Sequence, residues 1–512
     1  MSKLKYGWAS RDLSTDAPIV ITGQAHQRIS QGTHDPVTTT ALVLEREGQT
    51  AVFVCLDTTG INSYLVDEVR EKTHVLRKDI PAESIMISAT HSHTGTCHKL
   101  NEYLFKASDD PQDAMPINFE YVNTDDYRHF LSDTMAEMIV EAWDKRSEGG
   151  IAYGYGYAVV AHSRRVTYFD DVSTRPGANK GNNTYAINGH AVMYGNTNDE
   201  NFAGYEAGAD HFINILYTFD KDQKLTGAIL NVPCPSQCSE SEWMLSASYW
   251  HETRQRIREK YGDIFIMTHC AAAGDLSPRI LHYKQAEKRR FQLKYGGEET
   301  ITEEFTRRDI AERIADAFDE VLSWAKKDIR TDMVLEHRVT VTELERTKIS
   351  REQYEDCKRG LEELRQQSFV DTGDVKADLI RNSTLVSNRA RLIAGIKLYE
   401  KMQQGITTAQ SEVHTIRLGD IAFATNADEL YMDFQHRVQA RSPFEQTFVI
   451  QLVGQPSNLT QVSGSDSTWY LCTQRGLENK GYSASIFCTR VSPEGGQQWV
   501  NCVVDELKQL KK

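Results

Sequence analysis

Apolar residues fall in short runs separated by turn residues, and the period of those runs changes along the chain. Residues 39–57, TTALVLEREGQTAVFVCLD, hold two near-continuous apolar stretches on either side of Glu47–Gly48. They predict two strands joined by a turn. Over 62–78 the spacing becomes helical, with Leu65, Val66, Val69 and Val75 on one side. Ile85–Ala89 then reads as a buried strand after Pro81. Strand, helix and strand in this order predict a βαβ unit and hence an α/β layer.

Residues 100–127 are rich in Asp and Asn and read as a long loop, followed by an amphipathic helix over 128–145. Strand-like runs alternate over 150–220 with the Gly/Asn-rich PGANKGNNTYAINGH, a stretch of the kind that forms lids and pocket walls. His211–Phe219 and Leu225–Val232 predict two more strands, with a helix near 249–260 and a strand at Ile264–Thr268 to follow. Segments 302–327 and 350–403 are charged and helical, with a strand near 332–343 between them. A hairpin around Leu418–Gly419–Asp420, a helix near 428–440, a strand at 446–453 and a last helix near 497–510 complete the chain. The expectation is a mixed α/β fold with flanking helices. Residues 1–512 form one domain in this reading, with 302–403 as a helical insertion.

Composition narrows the class. The 512 residues are 40% hydrophobic, enough for a large core. A formal net charge of -14 disfavours a nucleic-acid partner and an anionic membrane. No run approaches the roughly 20 apolar residues of a membrane span. No apolar run follows Lys3 and Lys5 either, so a cytoplasmic protein acting on a small molecule is expected, with homo-oligomerisation compatible. Nine cysteines, an odd and sparse set, do not form a disulfide framework. Cys55, in AVFVCLD, reads as a buried thiol.

The sharpest chemical signal is Thr90–His91–Ser92–His93–Thr94–Gly95, directly after the strand at 85–89. Positions i and i+2 of an extended chain point the same way, so His91 and His93 are expected to converge. Imidazole is both the commonest neutral metal ligand and a proton carrier near pH 7. Asp275, in the Gly-Asp-Leu-Ser-Pro run, reads as a turn or helix-cap residue.

Several segments in common order carry a resemblance. They are Gly32–Pro36, Val54–Thr58, the THSHTG run, Ser163–Arg165, Ala209–Asp210, Gly274–Pro278, Asn426–Glu429, and the tyrosines 470 and 482. Together they resemble the neutral/alkaline ceramidases, a family of zinc amidases. The chain looks like a divergent cytoplasmic member without that family's C-terminal sandwich domain. The resemblance implies a divalent metal, zinc, held by His91, Glu429 and Tyr470. It implies His93 as the proton carrier, Tyr482 on the reacting group, and Arg164 or Arg165 on the substrate. One departure is plain. The family's second zinc histidine lies in a segment matched here by Asn231–Val232–Pro233–Cys234–Pro235–Ser236–Gln237, which has no histidine. His251 is the preferred replacement, with Cys234 or Cys238 as thiolate alternatives. The implied activity is metal-dependent hydrolysis by a metal-activated water of an amide or N-acyl bond; a small polar substrate such as an N-acyl amino sugar would suit a cytoplasmic enzyme. The alternatives are a glycosidase or esterase using the same pocket, and a metal-free relative that only binds a ligand.

Overall fold

A strand absent from the sequence reading, β1 (Lys5–Asp12), runs antiparallel to β2 (Thr38–Arg46). β2 turns at Glu47 and Gly48, both at positive φ, into β3 (Gln49–Leu56). Helix α1 (Ser63–Leu76), capped by the Asn62 side chain, leads to β4 (Ile85–Ala89), which lies parallel to β3. This is the predicted βαβ unit. Helix α2 (Thr124–Asp144) starts earlier than its apolar spacing predicts, because Asn123 caps it by accepting from Asp125 N. β5 (Ser147–Tyr157), β6 (Phe212–Asp220) and β7 (Leu225–Val232) form an antiparallel meander. Helix α3 (Tyr249–Tyr261) crosses to β8 (Phe265–Cys270), parallel to β7.

Helices α4 (Lys284–Tyr295) and α5 (Glu303–Ala325) precede β9 (Leu335–Glu345). The pair α6 (Arg351–Arg365) and α7 (Val375–Gln403) leads to the hairpin β10 (Thr408–Leu418) and β11 (Ile421–Thr425). Helix α8 (Met432–Arg441), β12 (Gln446–Ile450) and α9 (Pro493–Lys511) follow. The segment 302–403 divides between two places: α5 packs on α3 and β5, while α6 and α7 pack on each other. The molecule is a computed structural model that describes residues 3–178, 188–296, 302–460 and 469–512. Most of the Gly/Asn-rich run, 179–187, lies outside the described residues. Among the described residues no helix is long and apolar enough to cross a membrane.

Two sheets result. The larger has eight strands in the order β8-β7-β6-β5-β1-β2-β3-β4, and the smaller runs β9-β10-β11-β12. One face of the larger sheet presents Val52, Val54 and Leu56 to α1, α2, α3 and α5. Its other face presents Trp8, Leu42, Phe53 and Ile229 to Ile416, Phe423 and Phe448 of the smaller sheet. Phe53 meets Phe423 edge-on with ring centroids 5.0 Å apart. Trp499, Val503 and Leu507 of α9 lie buried over the far side of the smaller sheet. The layers are α/β/β/α, which explains the unbroken apolar runs of β2 and β3: both faces are buried.

Two polar clamps fasten these layers. Asp57, fully buried at the end of β3, accepts from Thr38 N at 2.9 Å and from Arg254 Nη1 and Nη2 at 2.7 and 3.0 Å. It thereby ties β2, β3 and α3 together. The second clamp joins the sheets. His337 Nδ1 lies 3.0 Å from Thr50 O and His337 Nε2 lies 3.0 Å from His414 Nδ1. His414 Nε2 in turn lies 3.0 Å from Glu412 Oε1, which accepts from Arg70 Nη2 at 2.7 Å.

Removing one partner of a buried ion pair strands the other charge. Arg254→Met is therefore expected to destabilise the fold by about 3–5 kcal/mol in urea unfolding. A loss under about 1 kcal/mol would show that Asp57 is not held by this arginine. Burial would raise the Glu412 carboxyl, but His414 and Arg70 outweigh it and hold it at about 2. The folded value lies below the unfolded one of about 4.3. Glu412 thus contributes stability above that unfolded value, and the contribution is lost as pH falls toward the folded one. Glu412→Gln is expected to flatten the acid limb of the pH–stability profile measured by circular dichroism.

Candidate active site

With both sheets covered, polar chemistry is confined to the strand ends, and the loops leaving β3, β4, β7, β8 and β11 meet at one end. The loop after β4 is pinned to β3: Thr90 N donates to Leu56 O at 3.1 Å and Ser92 N to Thr58 O at 2.9 Å. Gly95 is required here, because a Cβ would stand 2.3 Å from Asp57 O. His91 adopts the left-handed region at φ 64°. The two imidazoles do converge, with centroids 4.9 Å apart and Nε2 atoms 3.3 Å apart. They do so through this left-handed turn and not through the expected alternation of an extended strand, which ends at Ala89.

His91 Nδ1 sits 2.7 Å from Thr59 O, so it carries the proton and leaves Nε2 with its lone pair. That lone pair faces Glu429 Oε2 at 3.2 Å. Glu429 is positioned by parallel pairing with Tyr470 and by Glu429 N donating to Trp469 O at 2.8 Å. The GDLSP run supports it from behind. Gly274 N donates to Leu430 O, and a Cβ on Gly274 would stand 2.4 Å from Glu429 O. Asp275 Oδ1 accepts from Met432 N at 3.0 Å, capping α8 across the fold, and its carboxyl is raised to about 6 by burial.

Of the two candidate arginines, Arg164 faces the centre and Arg165 does not. Arg164 Nη2 lies 3.8 Å from Glu429 Oε2, and its guanidinium stands 5.2 Å from the Tyr470 ring centroid. Arg165 is spent on Glu206, bound at 2.8 and 2.9 Å, and on the carbonyls of Lys480 and Tyr482. Tyr470 and Tyr482 meet edge-on at 5.6 Å. Thus His91, His93, Arg164, Glu429, Tyr470 and Tyr482 come together from segments remote in sequence. His251 is not brought into this group. It stands in the first turn of α3, where its charged neighbours are Glu252, Arg254, His34 and Arg307. Cys234 and Cys238 are buried thiols, and burial raises the pKa of both.

Four residues of the site escape the sequence reading. Glu240 Oε2 lies 3.2 Å from His93 Nδ1, Arg279 pairs with Glu240, and Arg279 stands 5.4 Å from the Tyr194 ring. Gln237 Nε2 donates to Tyr194 OH. The available signal was the loop itself: Gln237 closes the segment that lacks the expected histidine, and Glu240 lies just beyond it. Ser236 O of that segment accepts from His93 N at 3.1 Å, so a main-chain contact stands at that position.

The electrostatics follow. Burial lowers His93, against the pull of Glu240. Burial would lower His91 too, but the Glu429 charge outweighs it and raises the value. Burial would raise Glu429, but His91 and Arg164 hold it below the ordinary carboxylate value. Burial would raise Glu240, yet His93 and Arg279 hold it at about 2.

Two facing lone pairs, on His91 Nε2 and Glu429 Oε2, require a positive charge between them: a proton or a cation. Their 3.2 Å separation is close to the roughly 3.3 Å edge of a tetrahedron with bonds near 2.0 Å. Among the described residues no three His, Cys, Asp or Glu side chains group to hold an ion. A third donor from this cluster would therefore be the Tyr470 phenol, and imidazole, carboxylate and phenol are a chemically suitable set.

No family model and no curated protein matches this sequence. Solved structures do match. The neutral ceramidase from Pseudomonas aeruginosa aligns over 99% of this chain and 74% of its own, at 16% identity and a TM-score of 0.65. A ceramidase complexed with C2 aligns over 99% and 75%, at 16% identity and a TM-score of 0.63. The chain has the fold of these ceramidases, as its sequence motifs suggested.

Gly274→Ala is expected to push the main chain at Glu429 outward, at an overpacking cost of roughly 1–3 kcal/mol. A crystal structure of the variant would show a longer His91–Glu429 separation. Gly208→Ala, where a Cβ meets nothing within 4 Å, serves as the neutral control.

Proposed function

We propose that the chain is a hydrolase that cleaves an amide or N-acyl bond of a small polar substrate, with a divalent cation held by His91, Glu429 and Tyr470. The observation that carries this reading is the 3.2 Å approach of His91 Nε2 to Glu429 Oε2 at the strand ends. The bond type is taken from the structural neighbours, which are named ceramidases. The substrate class is taken from the wall beside His93. Glu240, Arg279, Tyr194 and Gln237 are polar and suit a hydroxylated, sugar-derived group better than a long alkyl chain.

A divalent cation, zinc in this reading, supplies carbonyl polarisation and a lowered water pKa when bound. The chain's own residues do the rest. Glu240, with Oε2 3.2 Å from Nδ1, holds His93 by its charge and leaves Nε2 facing the centre to take a proton from water and return it to the leaving nitrogen. Arg164 offers fixed positive charge to an oxygen that becomes negative, and Tyr482, edge-on to Tyr470, offers a phenol as hydrogen-bond donor. The Thr59 carbonyl fixes the His91 tautomer.

A second reading, a metal-free ligand-binding relative, is favoured by the absence of histidine in the Asn231–Gln237 segment. Metal analysis of the purified protein separates the two. About one ion per chain, lost in His91→Ala, is expected; a metal-free wild type would favour the binder. Incubation with N-acyl amino sugars should release free amine, and His93→Ala should slow that release by about a hundredfold or more. Release of sugar from aryl glycosides without any amine would replace the amidase reading with a glycosidase one.

A further inference from the structure

Buried arginines among the described residues mostly bond through their terminal nitrogens, as Arg28, Arg307 and Arg389 do to carbonyls or carboxylates, and in Arg28, Arg46, Arg164 and Arg254 Nε is the nitrogen left over. Arg490 leaves a terminal nitrogen over as well. Only 8% of it is exposed, yet its Nε and Nη2 are buried without a hydrogen-bond partner among the described residues. Its guanidinium carbon stands over Trp469, 3.9 Å from the ring centroid, and the indole Nε1 is likewise buried and unpartnered among the described residues.

The surroundings add positive charge. Thr347 N donates to Arg490 O at 2.9 Å, and Arg346 bridges Val491, so Arg346 and Arg490 sit on paired backbone segments. Arg346 is 4% exposed, and of its side-chain nitrogens Nε donates to Thr408 O. Lys401, in the last turn of α7, feels Arg346, Arg490 and Lys397. The carboxylate that acts on Arg346 is Glu343. Burial together with Arg346 lowers Arg490 to about 10, and burial with the same cations lowers Lys401.

Desolvating a guanidinium without a partner costs several kcal/mol, and a second arginine alongside adds repulsion. Every unpartnered atom at this point, on Arg490 and Trp469, is a donor. The complement is therefore a pure acceptor carrying negative charge. We propose that Arg490, Trp469, Arg346 and Lys401 form a binding site for a small inorganic oxyanion of the phosphate type. The arginine fork matches two of its oxygens, the indole N–H a third, and Lys401 supplies further charge. Trp469 precedes Tyr470, and Arg490 follows Thr489, which bridges Tyr470. Adjacent residues of an extended segment face opposite ways, so the anion would brace the Tyr470 segment from behind and leave the centre itself untouched.

The test is titration of inorganic phosphate into the full-length protein by calorimetry and thermal shift, against chloride at matched ionic strength. Saturable binding with a rise in Tm is expected for the wild type. Arg490→Gln should lose the shift, and without phosphate it should melt no lower than the wild type, since it removes an uncompensated charge. Arg346→Gln and Lys401→Gln should each weaken binding by about tenfold or more, which keeps the test decisive if Arg490→Gln does not fold. No heat and no shift in the wild type overturns the proposal, as does unchanged affinity in the variants. Because the readout is binding, the result is independent of whether the chain hydrolyses anything.

Discussion

The face-to-face packing of the eight-stranded sheet against the four-stranded one sets the terms for everything else. Each sheet is covered by helices outside and by its partner inside, so strand interiors have no solvent and little tolerance for charge. Charges held between these layers form clamps, as at Asp57 with Arg254 and at Glu412 with Arg70 and His414. Chemistry that needs water and a substrate is left with the loops at the strand ends. There the parallel pairs β3–β4, β7–β8 and β11–β12 deliver histidines, an arginine and a carboxylate to one place.

That arrangement explains which parts could be read in advance. The runs of β2, β3 and β4 are apolar on both faces, and such strands announce themselves. The HxH pair stood out because it follows one of them directly. β1 was missed: its Tyr6 and Trp8 alternate with Gly7 and Ala9, and the small residues carry no apolar signal. They are small because α2 lies against them, and a Cβ on Gly7 would stand 2.0 Å from Ala142 O. α4 was missed for the opposite reason. Its sequence KQAEKRRFQLKY buries only Phe291 and carries almost no periodicity.

The site was legible where a residue type is rare and its chemistry narrow, as for His91, His93, Glu429 and the two tyrosines. It was illegible where the role depends on a partner brought in by the fold. Glu240 reads as one more surface acid until Arg279 and His93 are seen beside it. Arg164 and Arg165 are equivalent in sequence, and the turn between them sends one to Glu429 and the other to Glu206. His251 was chosen by nearness along the chain, but the helix that begins beside it faces α5.

The left-handed backbone at His91 has its own implication. A non-glycine residue in that conformation holds strain of about 1–3 kcal/mol, and here it falls on the residue that the proposed function makes a cation ligand. Asparagine and glycine adopt this conformation more comfortably. Under the proposed function, drift toward thermal robustness at this position would therefore run toward an inert protein. A histidine retained there marks a compromise in which conformational ease has been given up for the direction in which one ring nitrogen points.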